Sequence, residues 1–138
     1  FWGPVNASSA AYWALALTHS CVNASAQYAA LEALTGPQNC VEEMNQAFKK
    51  RATLMFTKLN EVKGINCQKP NGAFYCFPNI SDTNKNSMEV QNLLLDKIGV
   101  ATVSGTSFGK YGENYIRLSC ANSNEAIEEA ISRMKNIF

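Results

Sequence analysis

The sequence predicts an α/β fold in which helices pack on one small sheet, and three observations lead to it. From residue 40 to about residue 62, apolar residues recur every three or four positions, which is the period of an amphipathic helix. Residues 115–120 alternate apolar and polar side chains, as a strand with one buried face does. Around these segments, further helical patterns alternate with short apolar runs. That order is typical of helices layered on a sheet.

The composition bounds the class of protein. A length of 138 residues with 46% hydrophobic content predicts one compact domain with a real core. The net charge of +1 gives no reason to expect a nucleic-acid or membrane partner. No apolar run approaches the roughly 18 residues that span a bilayer, and no segment resembles a secretion signal, so we expect a cytoplasmic protein. The five cysteines are odd in number and scattered. They predict reduced, mostly packed thiols, with no disulfide framework and no metal site.

Three helices are predicted in the first half of the chain. An alanine-rich stretch over residues 10–17 favours the first helix. Residues 25–34 favour the second, which Gly36 and Pro37 end. The third is the long amphipathic helix, which starts near Cys40 and is stopped by Gly64. Its apolar stripe contains Val41, Met44, Phe48, Ala52, Met55, Leu59 and Val62.

Short strands follow this helix. Residues 65–68 and 73–77 have strand-like composition, and the turn residues at 69–72 separate them into a hairpin-like pair. Pro78 ends the second run. Residues 100–103 predict a further, buried strand.

Two capped helices complete the fold. Asn86 and Glu89 have the spacing of a reciprocal helix cap, and Gly99 ends the helix that they begin. The same spacing at Asn122 and Glu125 predicts the start of the last helix. Its buried side is expected to carry Ala126, Ile127, Ala130, Ile131 and Met134.

Arg117 is the candidate binding residue. It lies in the middle of the strand at residues 115–120, opposite an apolar face, just after a glycine-bounded loop at residues 105–109. A guanidinium is costly to desolvate, so this placement predicts that the strand borders a cleft. Its planar fork can there meet a carboxylate with two parallel hydrogen bonds. A solvated strand arginine or a structural ion pair is the alternative explanation.

Five segments resemble a known family. In order and in spacing they are similar to the C-terminal part of fold-type I aminotransferases that depend on pyridoxal phosphate, in the class I/II group that includes aspartate aminotransferases. The resemblance covers roughly residues 18–138. The segments are Ser-Cys-Val-Asn-Ala-Ser-Ala-Gln-Tyr-Ala-Ala-Leu-Glu-Ala-Leu at 20–34, Val-Glu-Glu-Met at 41–44, Lys-Pro-Asn-Gly-Ala-Phe-Tyr-Cys-Phe-Pro at 69–78, Gly-Thr-Ser-Phe-Gly at 105–109 and Tyr-Ile-Arg-Leu-Ser at 115–119.

The resemblance implies roles and a domain layout. Arg117 would bind the α-carboxylate of the substrate, and Phe108 would border the substrate or else pack as a core aromatic under its loop. Residues 1–39 would be the tail end of the large cofactor-binding domain, although residues 1–17 match the family poorly. Residues 40–138 would be the interdomain helix and the small C-terminal domain. The implied substrates are an amino acid and a 2-oxo acid, and the implied assembly is a homodimer.

The cofactor lysine of the family has no counterpart in the matched segments. Transamination needs a lysine that forms a Schiff base with pyridoxal phosphate, and the nine lysines here lie in contexts better explained by solubility. We therefore expect the cofactor to be bound mainly by a large domain outside this chain, and the chain alone to be inactive with no catalytic residue of its own. His19 and the serines 107 and 119 form no hydrolase constellation. A stand-alone non-catalytic domain, or part of another fold-type I enzyme such as a lyase or synthase, is the alternative.

Overall fold

The computed structural model describes the backbone of residues 5–19 and 22–138, and the side chains of residues 11–18 and 22–138. The chain divides into two compact units, Phe1–Val41 and Glu42–Phe138. This corrects the expectation of one compact domain. The helices of the first unit are rich in alanine, and among the described side chains every buried apolar residue belongs to the second unit. The large apolar side chains of these helices, such as Trp13, Leu17 and Leu34, are exposed.

The first unit contains the two helices predicted for it. The first, α1, spans Val5–His19, so it is longer than the alanine-rich stretch that predicted it. The second, α2, spans Ala24–Thr35, and the Asn23 side chain caps it by accepting a hydrogen bond from the Ser25 backbone N–H at 2.8 Å. Gly36 follows α2 in an extended conformation. The side chains of His19 and Cys21 lie outside the described residues.

The long helix, α3, spans Asn39–Leu59 and ends earlier than predicted. The Asn60 side-chain amide explains the end, because it bonds to the Phe56 carbonyl at 2.9 Å and to the Cys67 carbonyl at 3.0 Å. Gly64 then completes the turn at φ +80°, a conformation that favours glycine. The start of the predicted stripe is exposed at Val41 and Met44, and full burial begins at Met55.

Three of the predicted strands are shorter than expected, and residues 65–68 form none. The Asn60 side chain accepts the Cys67 backbone N–H at 2.9 Å and also occupies its carbonyl, so neither group is left for a strand partner. Only an isolated bridge between Asn66 and Asn79 remains. The next strand, β1, is Tyr75–Cys76 because Ala73 has φ 58°, which interrupts the extended backbone. The strand predicted at residues 100–103 is β2 at Val103–Ser104.

Val100 bonds to the C-terminal end of a helix, so the predicted strand cannot begin at this residue. This helix, α4, spans Ser87–Ile98 and begins with the reciprocal cap of Asn86 and Glu89, as predicted. Gly99 ends it at φ +66°, and the backbone N–H of Val100 then donates to the Leu94 carbonyl at 3.0 Å. Because this bond uses the N–H of Val100, the strand starts later in the chain.

The three strands form one antiparallel sheet in the order β1-β3-β2, where β3 spans Ile116–Ser119. Tyr75 pairs with Ser119 and Val103 pairs with Arg117. The alternation predicted for residues 115–120 is confirmed: Ile116 and Leu118 are buried, and Arg117 lies on the opposite face.

The last helix, α5, spans Asn124–Lys135. Its cap is Ser123, one residue later than predicted, whose hydroxyl accepts the Ala126 N–H at 3.2 Å. Ala126 itself is exposed because it lies in this first turn. The core of the second unit is apolar and comprises Met55, Leu59, Val62, Ile65, Ile80, Val90, Leu94, Val100, Ile116, Leu118, Ile127, Ile131 and Met134, with three free thiols, Cys67, Cys76 and Cys120. The α/β architecture of helices on a small sheet is therefore confirmed.

Candidate functional site

Arg117 lies at the centre of the outer face of the sheet. Its strand is flanked by β1 on one side and β2 on the other, and the side chain is half-buried. The pleat forces this orientation, because Ile116 and Leu118 point into the core and the residue between them must point out. The neighbouring strands thus fix the backbone from which the Arg117 side chain extends.

Two aromatic rings hold the guanidinium. The Cζ atom of Arg117 is 4.4 Å from the ring centroid of Tyr75 and 4.5 Å from that of Phe108. Both distances are well inside the roughly 6 Å range of a cation–π interaction. Tyr75 reaches Arg117 from β1, and Phe108 reaches it from the loop that follows β2. The two rings therefore reach the same cation from separate parts of the chain.

The guanidinium has no anionic partner among residues 11–18 and 22–138. The ion pairs there join Lys58 and Lys135 to Glu61, and Arg133 to Glu129. No hydrogen bond within the same residues uses the N–H groups of Arg117. Charged side chains that are taken out of water are usually paired or hydrogen-bonded. The structural ion pair considered from the sequence is therefore absent from the described part of the chain, and the fork of N–H donors is open to an external anion.

A cavity lies beside Tyr75 on the same side of the sheet. Its volume is about 390 Å³, which is in the range of small-molecule sites. Apolar rings and side-chain amides line it: the residues are Asn66, Gln68, Lys69, Pro70, Tyr75, Phe77, Asn79 and Tyr115. The rings of Phe77 and Tyr115 stack nearly parallel with centroids 5.3 Å apart. Stacked aromatic rings therefore line this side of the site.

Ser87, the first residue of α4, fastens the loop that carries Phe108. Its hydroxyl donates to Glu113 at 3.0 Å and accepts the Tyr115 N–H at 3.2 Å. Glu113 also accepts the backbone N–H groups of Ser87 and Asn114. These hydrogen bonds, that from the Ser87 backbone above all, hold the pKa of the Glu113 carboxyl below its usual value. The loop end next to Arg117 is thereby tied to a capped helix.

Close backbone packing shapes the same loop. It makes two single turns, Gly105–Phe108 and Lys110–Gly112, which bring Gly105 against Gly112. The Gly105 N–H donates to the Tyr115 carbonyl at 2.8 Å. A side chain at position 105 would collide with the Gly112 backbone, so only glycine fits there.

Comparisons with known proteins identify the family. Residues 3–134 match the family model described as aminotransferase class I and II. The aspartate aminotransferase of Pyrococcus abyssi is 44% identical over 114 residues, covering 81% of this chain and 29% of that protein. The putative aminotransferase YugH of Bacillus subtilis is 44% identical over 118 residues, covering 86% of this chain and 30% of that protein.

Solved structures agree with this match. The aromatic aminotransferase of Pyrococcus horikoshii superposes with a TM-score of 0.82 at 40% identity, covering 88% of this chain and 33% of that chain. The aspartate aminotransferase of Rhizobium meliloti gives a TM-score of 0.88 at 29% identity, covering 97% of this chain and 36% of that chain. The chain belongs to the class I and II aminotransferases. It spans about 29% to 30% of the length of the two curated relatives above.

Class I and II aminotransferases use pyridoxal phosphate, which needs a desolvated lysine for the Schiff base and an acid facing the pyridine nitrogen. Eight of the nine lysines of this chain are exposed, and the half-buried Lys58 bonds to Glu61 at 3.3 Å. Lys69 lines the cavity beside Tyr75, but it is exposed and no carboxylate lines that cavity. The residues that the structure describes therefore do not fit the cofactor by themselves.

Both site residues expected from the aminotransferase resemblance lie together in the structure. Phe108 covers Arg117 instead of packing in the core, and its side chain is exposed. The binding roles of the two residues stay predictions. Tyr75 was missed. The strand register that brings it to Arg117 is not visible in the sequence.

No helix among the described residues is long and apolar enough to cross a lipid bilayer.

Proposed function

We propose that this chain forms the carboxylate-binding wall of a pyridoxal-phosphate-dependent amino-acid aminotransferase. The intact enzyme would transfer an amino group between an amino acid and a 2-oxo acid. The observation that carries the proposal is the guanidinium of Arg117, which is held by two rings and has no anionic partner within the described chain. A planar monoanion such as an α-carboxylate matches the fork of this group with two parallel hydrogen bonds.

The names of the relatives support the α-carboxylate as the ligand. Similar proteins are named as aspartate, aromatic-amino-acid and alanine aminotransferases. Such substrates differ in their side chains and share the α-amino and α-carboxyl groups. A residue that serves all of them must recognise one of the shared groups, and a cation on the wall of a cavity suits the carboxylate. Phe108 would then border the bound substrate and shield the ion pair from water.

The cofactor would be held by the remainder of the intact polypeptide. In this proposal residues 1–39 are the tail end of the large cofactor domain, and residues 40–138 are the interdomain helix and small domain. The chain by itself would bind carboxylates weakly and would not transaminate, because no described lysine is placed for the Schiff base. The homodimer and the cytoplasmic location also stay predictions.

Replacing Arg117 tests the proposal in the intact, cofactor-loaded enzyme. Arg117→Lys keeps the charge but removes the planar fork, so amino-acid and 2-oxo-acid binding should weaken by about 2–3 kcal/mol, or roughly 30- to 150-fold. The measurement is the Kd of both substrate classes beside the Kd of the cofactor, which should hardly change. Arg51→Lys is the matched control, because Arg51 on α3 also meets a ring, that of Phe48 at 5.7 Å.

Unchanged substrate affinity in Arg117→Lys would refute the assignment.

Product analysis of the wild-type enzyme distinguishes an aminotransferase from the alternative functions. A new 2-oxo acid matched by a new amino acid indicates transamination, whereas elimination or condensation products would show a lyase or synthase. A protein that binds carboxylates but makes no product would instead be a non-catalytic module.

A further inference from the structure

We propose that Tyr75 is a positioning residue that fixes the guanidinium plane of Arg117, and with it the direction from which a carboxylate can bind. The inference rests on the proposed carboxylate-binding function and assigns part of it to a second side chain. The ring centroid of Tyr75 lies 4.4 Å from Cζ of Arg117. At that distance the ring attracts the cation and covers one side of it.

The strand register explains why Tyr75 can do this. Tyr75 pairs with Ser119, so Arg117, two residues before Ser119, is its diagonal neighbour on the same face. Diagonal neighbours on antiparallel strands are within reach of aromatic and long side chains. The contact is therefore built into the backbone pairing and does not depend on a loop.

The two rings around Arg117 differ in how firmly they are held. Tyr75 is half-buried in a strand, and its ring also packs on that of Phe74 with centroids 4.4 Å apart. Phe108 lies in a single turn between glycines and is 53% exposed. Tyr75 is thus the more firmly held of the two rings, and Phe108 is the more exposed one.

Support from the rings matters because no hydrogen bond or ion pair within the described chain holds the guanidinium. A free arginine side chain loses rotamer freedom when it binds, and a preorganised one loses less. Among the described residues no group accepts a hydrogen bond from the guanidinium, so its N–H groups are open to a ligand. A carboxylate lying in the guanidinium plane can accept two of them at once.

Tyr75 should act on binding more than on turnover. Arg117 holds the carboxylate in the bound substrate and in the transition state alike, and the loss of such uniform binding raises KM while leaving kcat nearly unchanged. In the intact, cofactor-loaded enzyme we expect Tyr75→Leu to raise KM for both substrate classes about 5- to 30-fold, with kcat within about threefold. Tyr75→Phe keeps the ring and should restore KM to within about twofold of wild type.

Tyr111→Leu is the matched control. Tyr111 lies in the same loop region, is exposed, and its ring meets Lys110. The identical replacement there should leave KM unchanged. Fluorinated phenylalanines in place of Tyr75 keep the shape of the ring while weakening its attraction for a cation. They decide the question if Tyr75→Leu does not fold, since KM should rise with each added fluorine.

The outcomes separate this inference from the proposed function. If Arg117→Lys raises KM but Tyr75→Leu and the fluorinated series do not, Tyr75 has no positioning role and the carboxylate assignment stands. If Tyr75→Phe is as impaired as Tyr75→Leu, the hydroxyl is what matters and the ring-support inference is overturned. If Arg117→Lys itself leaves KM unchanged, the proposed function fails together with the role of Tyr75.

Discussion

Gly105→Ala should loosen the strand that carries Arg117, because position 105 has no room for a methyl group. A Cβ there would overlap the Gly112 carbonyl oxygen and lie 2.7 Å from the Tyr115 carbonyl oxygen, whereas ordinary contacts begin at 3.4 Å. Both opposing atoms are backbone, so neither can swing away. Overpacking typically costs 1–3 kcal/mol, and we expect the upper end, about 3 kcal/mol, at this site.

Hydrogen exchange of the intact protein measures this effect locally. Amides in residues 115–120 should exchange roughly 100-fold faster in Gly105→Ala, which is what a loss of about 3 kcal/mol in opening free energy produces. Gly72→Ala is the control, because a Cβ at Gly72 would meet no atom within 4 Å. Equal exchange in the two variants would show that the contact of Gly105 with Gly112 does not hold the loop.

Two further substitutions test the elements that support the site. Glu113→Gln should speed exchange at residues 115–120 at pH 7. Because folding lowers the pKa of Glu113 from 4.5, its contribution is present above that value and is lost as the pH falls below it, so the variant and wild type should converge in acid. A difference independent of pH would contradict this. Gly99→Ala forces alanine to φ +66° and should cost about 1–2 kcal/mol of unfolding free energy, read from the urea midpoint; no shift would mean that the end of α4 is not strained.

The helices were predictable because their signals are local. The spacing of Asn86 and Glu89 predicted a cap that both side chains form, and Gly99 ends the helix in the conformation expected of a terminal glycine. The end of α3 was not predictable. It depends on the Asn60 side chain bonding to the backbone of Cys67, seven residues away. Nothing in the local composition distinguishes such an asparagine from one on the helix surface.

The face of the strand that carries Arg117 was predictable, but the residues that surround its guanidinium were not. Alternation placed Arg117 opposite the core, whereas Phe108 became a candidate only through the aminotransferase resemblance. The support from Tyr75 follows from strand register, which a single sequence does not show when strands are only two to four residues long. The absence of a carboxylate partner within the described chain likewise becomes visible only in three dimensions.

A crystal structure of the intact protein with a 2-oxo acid bound tests directly whether Arg117 binds the α-carboxylate. We expect both oxygens of the α-carboxylate to lie about 2.7–2.9 Å from guanidinium nitrogens of Arg117. A 2-oxo acid whose carboxylate is bound by another cation, with the Arg117 guanidinium still unoccupied, would contradict this expectation.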